Sequence, residues 1–102
     1  MKRLFGATNE DCTAVAELLR SGEIVALPTE TVYGLACLAL DANAVAKVFT
    51  AKNRPSNDPL IVHVNDLSEA REVALLDERA VSLAEAFWPG PLTFVLPKTD
   101  RV

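Results

Sequence analysis

Several chemistries are closed to this 102-residue sequence by what it has little of, beginning with one histidine, one tryptophan, one tyrosine and two cysteines. Cys12 and Cys37 stand alone with no Cys-x-x-Cys spacing, which supplies no metal framework and suits a reducing compartment; both read as core or helix-face residues. No apolar run approaches the ~20 residues of a membrane span. The N-terminal MKRLFGATNEDC turns polar after two apolar residues, so it has no leader core and a cytoplasmic location is expected. Positive charge is in deficit: ten Lys plus Arg stand against fourteen Asp plus Glu, a formal net charge of -4. With a pI near 4.9, a diffuse basic surface for nucleic acid is excluded, and any anion site must be local. Also missing are GxxxxGK[ST], GxGxxG after a strand, HExxH and zinc-ligand spacing, so a nucleotide site has to be built some other way.

What is present is a chain of one-domain length, half of it apolar, in which apolar runs alternate with helical patterns. Cys12, Val15, Ala16 and Leu19 recur at helical spacing, predicting a helix over about 11–20 with Asn9 or Asp11 as cap and Ser21-Gly22 as stop. Ile24–Leu27, Leu35–Leu40, Leu60–Val64 and Leu92–Leu96 read as strands, the first ended by Pro28. Between them, Asp41 caps a helix with Ala44, Val45, Val48 and Phe49 on one face, closing near Lys52 because Pro55 disfavours a helical Arg54. Asp66 with Glu69 forms an acidic capping box ahead of Leu67, Ala70, Val73 and Ala74. Asp77 or Glu78 opens a last helix carrying Ala80, Val81, Ala84, Phe87 and Trp88, stopped by Pro89-Gly90-Pro91. The fold class is therefore α/β, with helices flanking a mixed or largely parallel sheet.

Polar chemistry concentrates in two strand-end loops, Pro28–Gly34 and Lys52–Pro59, where α/β sheets tend to place ligands. Lys52 and Arg54, two apart at a helix exit, can converge on one anion, and they are equally what a helix C-terminus favours. Pro55 and Pro59 bracket Ser56-Asn57-Asp58, which stiffens the loop for binding or simply for connection. Alternation puts the hydroxyls of Thr29, Thr31 and Tyr33 on one face of an extended segment, with Glu30 and Val32 on the other; Gly34 then allows close backbone approach or a turn. Glu30 is a solvated acid or a general base. His63 shares a strand face with Ile61, a position usually filled by a satisfied core group.

Three segments, "PTETVYGLA", "AKNRPSNDPLIVHV" and "FWPGPLTFVLPK", in this order and spacing, resemble the YrdC-like family of threonylcarbamoyl-AMP synthases. The resemblance implies an open twisted mixed sheet with flanking helices around a locally positive cavity. It also implies an L-threonylcarbamoyladenylate synthase, a nucleotidyltransferase that forms threonylcarbamoyl-AMP and pyrophosphate from L-threonine, bicarbonate and ATP with Mg2+. The product feeds threonylcarbamoyladenosine modification of tRNA. By position, Thr31, Tyr33 and His63 would face threonine, Lys52 and Arg54 would hold ATP phosphates and act in catalysis, and Asp58 would lie against the nucleotide. No protein metal ligand is assigned. Asp58 stands where the family commonly has Asn, which exchanges a neutral amide for an acid suited to metal coordination.

The family domain continues past Lys98 through further strands and a Ser-Ala-Asn segment, so residues 1–102 are expected to be one YrdC-like domain incomplete on its C-terminal side. Two other readings accompany this one. The first is a non-catalytic nucleotide- or RNA-binding module, RNA being disfavoured by the pI. The second is a hydrogenase-maturation carbamoyltransferase-type domain, a class distinguished by acylphosphatase and zinc-finger segments ahead of this fold.

Overall fold

A computed structural model of the chain describes residues 8–53 and 60–102. They fall into two compact units, Met1–Pro59 and Leu60–Val102. In the first, helix α1 (Asn9–Arg20) is capped by Thr8, whose hydroxyl accepts from Asp11 N–H at 3.1 Å, rather than by Asn9 or Asp11. Its half-buried stripe takes in Ala14 and Leu18 with Val15, Ala16 and Leu19, while Cys12 points to solvent. The stop is the predicted one: Gly22 adopts φ +86°, and the N–H groups of Gly22 and Glu23 close onto the carbonyls of Leu19 and Leu18.

Strands β1 (Val25–Leu27) and β2 (Gly34–Ala36) pair antiparallel, with Val25 opposite Ala36 and Leu27 opposite Gly34. Helix α2 (Ala42–Lys52) begins where Asp41 accepts from Ala44 N–H at 3.1 Å. Its inward face is the predicted one, Ala44 and Val48 being 0% and 2% exposed. Its end is set by Asn53, which takes the left-handed conformation that Asn tolerates better than other non-glycine residues (φ 53°, ψ 46°). Lys47, on the outer side of α2, donates to Gly22 O at 2.9 Å and lies 3.9 Å from the Glu23 carboxylate, tying the helix to the α1–β1 turn.

In the second unit, α3 (Leu67–Val73) and α4 (Glu78–Phe87) each start on an aspartate cap, Asp66 to Glu69 N–H and Asp77 to Ala80 N–H, both at 2.9 Å. Glu69 returns its carboxylate to Asn65 N–H at 2.9 Å, one residue earlier than a standard box. Ala70, Ala80 and Ala84 are buried. Residues 97–101 are stitched to the end of α3: Ala74 bridges Lys98, Leu75 N–H donates to Pro97 O, Thr99 donates through N–H to Val73 O and through its hydroxyl to Glu72 O, and Arg101 pairs with Glu72 at 3.3 Å.

The α/β expectation is met, with a sheet smaller than expected. Among the described residues it is the antiparallel pair alone. Leu60–Val64 and Leu92–Leu96 run without regular pairing, since a strand exists only where a neighbour receives its backbone hydrogen bonds. Their side chains show it differently. Ile61 is 65% exposed, with Leu60 and Val62 also uncovered, whereas Leu92, Phe94 and Leu96 turn inward and Thr93 and Val95 outward, a strand's alternation without its ladder.

Candidate functional site

The loop between β1 and β2 is not the extended segment that its alternating hydroxyls predict. Residues 30–32 form a bend, organised by the Thr29 hydroxyl. Its oxygen accepts from Thr31 N–H at 3.2 Å and from Val32 N–H at 3.1 Å, its proton goes to the Val32 carbonyl, and Thr31 Oγ1 lies 3.3 Å away. Local hydroxyl-to-backbone bonds of this kind compete directly with strand geometry and win where no ladder holds the backbone. The bend leaves Thr31 exposed and Tyr33 77% exposed on the same loop. Glu30 is also exposed. Gly34 sits in β2 at ordinary φ, and a Cβ there would meet only Thr29 Cγ2 at 3.7 Å, so neither a turn nor a close approach explains it.

Lys52 closes α2 as its last residue and is exposed, immediately before the left-handed Asn53. The Asn53 N–H bonds to Phe49 O and Thr50 O, so two of the helix's terminal carbonyls are satisfied beside the lysine. The Asn after Lys52 could have been read as a C-cap from sequence, since Asn is the usual substitute for Gly there. Arg54 and Asp58, with the two prolines, lie outside the described residues.

Cys37 follows β2, and burial first, then the nearby Asp41 carboxylate, push its thiol above the usual range. The shift disfavours the thiolate, the form in which a cysteine acts as a nucleophile.

His63 belongs to the second unit. It is exposed, and its Nδ1 is 3.3 Å from Ile61 O, two residues back, so it is not a core group. In the same unit the aromatic stretch has a structural role. Trp88 Nε1–H donates to Leu92 O at 2.9 Å, and its ring meets Phe94 edge-on at 5.4 Å. Phe87, by contrast, is 60% exposed rather than packed. A Cβ on Gly90 would stand 2.6 Å from Phe87 O, so the turn between them admits only glycine.

Residues 17–102 match the Sua5/YciO/YrdC family model, described as "Telomere recombination". The chain belongs to this family. It is 51% identical over 88 residues to the threonylcarbamoyl-AMP synthase of Pyrococcus abyssi, covering 85% of this chain and 26% of that protein. It is 48% identical over 93 residues to the Bacillus subtilis threonylcarbamoyl-AMP synthase, covering 89% of this chain and 27% of that one. The crystal structure of P. abyssi Sua5 complexed with L-threonine superposes at a TM-score of 0.87 and 45% identity, over 99% of this chain and 29% of that one. This Sua5/YciO/YrdC-family chain thus spans about a quarter of the length of those two relatives.

Proposed function

We propose that the protein is an L-threonylcarbamoyladenylate synthase, making threonylcarbamoyl-AMP and pyrophosphate from L-threonine, bicarbonate and ATP in the cytoplasm, for threonylcarbamoyladenosine modification of tRNA. The observation that supports this most directly is its likeness, at 45% identity and a TM-score of 0.87, to a protein crystallised with L-threonine. In this reading, Thr31, Tyr33 and His63 face threonine. Lys52 and Arg54 hold the phosphates, and Asp58 lies against the nucleotide.

The chemistry asks for such groups. The threonine amine and bicarbonate form a carbamate with loss of water, a carbamate oxygen attacks the α-phosphorus of ATP, the α–β phosphoanhydride bond breaks, and pyrophosphate leaves with the electron pair. Negative charge grows on the phosphate oxygens, and fixed cations stabilise that charge more than they stabilise the ground state. Exposed hydroxyls on a bend fixed by Thr29 are suited to a small polar amino acid. Among the described residues no group of three or more His, Cys, Asp or Glu forms a metal cluster, and none is needed for magnesium, which keeps several waters and is commonly held by one or two carboxylates plus substrate phosphates. Mg2+ would arrive on the nucleotide and spread the phosphate charge there, with Asp58 the carboxylate this reading assigns to it.

Threonine-dependent pyrophosphate release tests the assignment. Arg54→Ala should lower turnover about 10²- to 10³-fold, the usual effect of deleting one charge-stabilising donor. His63→Ala should act chiefly on the KM for threonine. Near-normal kinetics in both variants would overturn the site.

A further inference from the structure

We infer that Thr29 is a positioning residue for the threonine-facing loop, acting through Thr31 rather than on the substrate; this rests on the synthase reading above. A threonine hydroxyl offers one proton and two lone pairs. Those of Thr29 are fully used within the loop: the lone pairs by the N–H groups of Thr31 and Val32 at 3.2 and 3.1 Å, the proton by the Val32 carbonyl. One side-chain atom thus fixes the backbone of the two residues that follow Glu30, in a stretch where the described structure provides no strand ladder. It also decides what Thr31 can do. Thr31 Oγ1 lies within hydrogen-bond distance of the same oxygen, at 3.3 Å, so the Thr29 hydroxyl also directs it, and the remaining capacity of the Thr31 hydroxyl is left for a ligand in a residue that is exposed. Without the Thr29 hydroxyl, two backbone N–H groups lose their acceptor and the Thr31 hydroxyl loses its fixed direction. β-Branching alone does not replace this, because valine keeps the shape and forfeits all three bonds.

The test compares Thr29→Val and Thr29→Ser in the protein, by steady-state kinetics in threonine and in ATP and by amide hydrogen exchange. Thr29→Val is expected to raise the KM for threonine at least tenfold, leave the KM for ATP within twofold, and speed exchange at the Thr31 and Val32 amides at least tenfold. Thr29→Ser, which keeps the oxygen, should stay within threefold of the parent in every readout. Equal loss in both variants, equal rises in both KM values, or unchanged exchange in Thr29→Val would overturn the inference. So would a Thr29→Val protein that fails to fold, since the role argued is confined to the loop. If the parent protein releases no pyrophosphate, the synthase reading falls, and the exchange comparison still decides whether Thr29 fixes the bend.

Discussion

Gly22 is the position where a single added methyl group has the most calculable consequence. The residue is buried, sits at φ +86° in the turn that ends α1, and accepts from Lys47 through its carbonyl. An alanine there would hold a left-handed conformation at a cost of about 1–2 kcal/mol. Its Cβ would also stand 3.2 Å from Asp41 Oδ2, tighter than ordinary contact, and Asp41 is not free to yield because its other carboxylate oxygen caps α2. Forcing the cap to shift would forfeit part of the ~1 kcal/mol such a cap contributes.

Together these predict a loss of about 1.5–2.5 kcal/mol for Gly22→Ala, which at a urea slope of about 1.5 kcal/mol per molar lowers the denaturation midpoint by roughly 1–1.7 M. A double-mutant cycle separates the two parts. Asp41→Ser retains a capping oxygen on a shorter side chain, so Gly22→Ala should cost about 0.5 kcal/mol less in that background. Asn53→Gly supplies the opposite sign, since the left-handed residue there loses its Cβ, and should stabilise by a few tenths of a kcal/mol. A Gly22→Ala variant within about 0.5 kcal/mol of the parent would refute the account of this turn.

Two further outcomes are expected. The hydrogen bond from Ala80 N–H first, then that from Arg79, holds the Asp77 carboxyl below the usual range. Because the folded-state value is lowered, the contribution of this group is complete above the ordinary carboxylate pKa of about 3.9 and is lost as pH falls through the lower folded value. Asp77→Asn keeps a capping side chain and removes the titration, so its stability should fall less steeply than the parent's below about pH 4; identical acid profiles would contradict this. Trp88→Phe keeps an aromatic ring against Phe94 and deletes the donor to Leu92 O, predicting a loss of about 1 kcal/mol in denaturation followed by circular dichroism; no measurable loss would remove that bond from the account of the turn.

The helices were legible because their signals are local. Asp41, Asp66 and Asp77 each cap the residue three ahead, and the faces bearing Ala44 and Val48, or Ala80 and Ala84, follow from 3.6-residue spacing alone. Strands at 60–64 and 92–96 were not, because a strand is a relation between two segments, and apolar sequence reports only that a segment could take part in one. The site divides along the same line. Lys52 at a helix exit was legible from Pro55 three residues on. The Thr29–Tyr33 segment was misread as extended because alternation of hydroxyls carries no information about whether a side chain will bond its own backbone. His63 failed as a core residue for the same reason as its strand: nothing described covers it.

The left-handed Asn53 has one more effect, on the reach of the charge beside it. A lysine on the last turn of a helix shares its position with carbonyl oxygens worth about half a negative charge, and these repel any anion the lysine would attract. By turning its N–H back onto Phe49 O and Thr50 O, Asn53 engages two of those oxygens with a donor of the chain's own. An anion arriving at Lys52 meets the ammonium with less of the opposing field behind it, in a chain whose overall charge of -4 would otherwise discourage the approach.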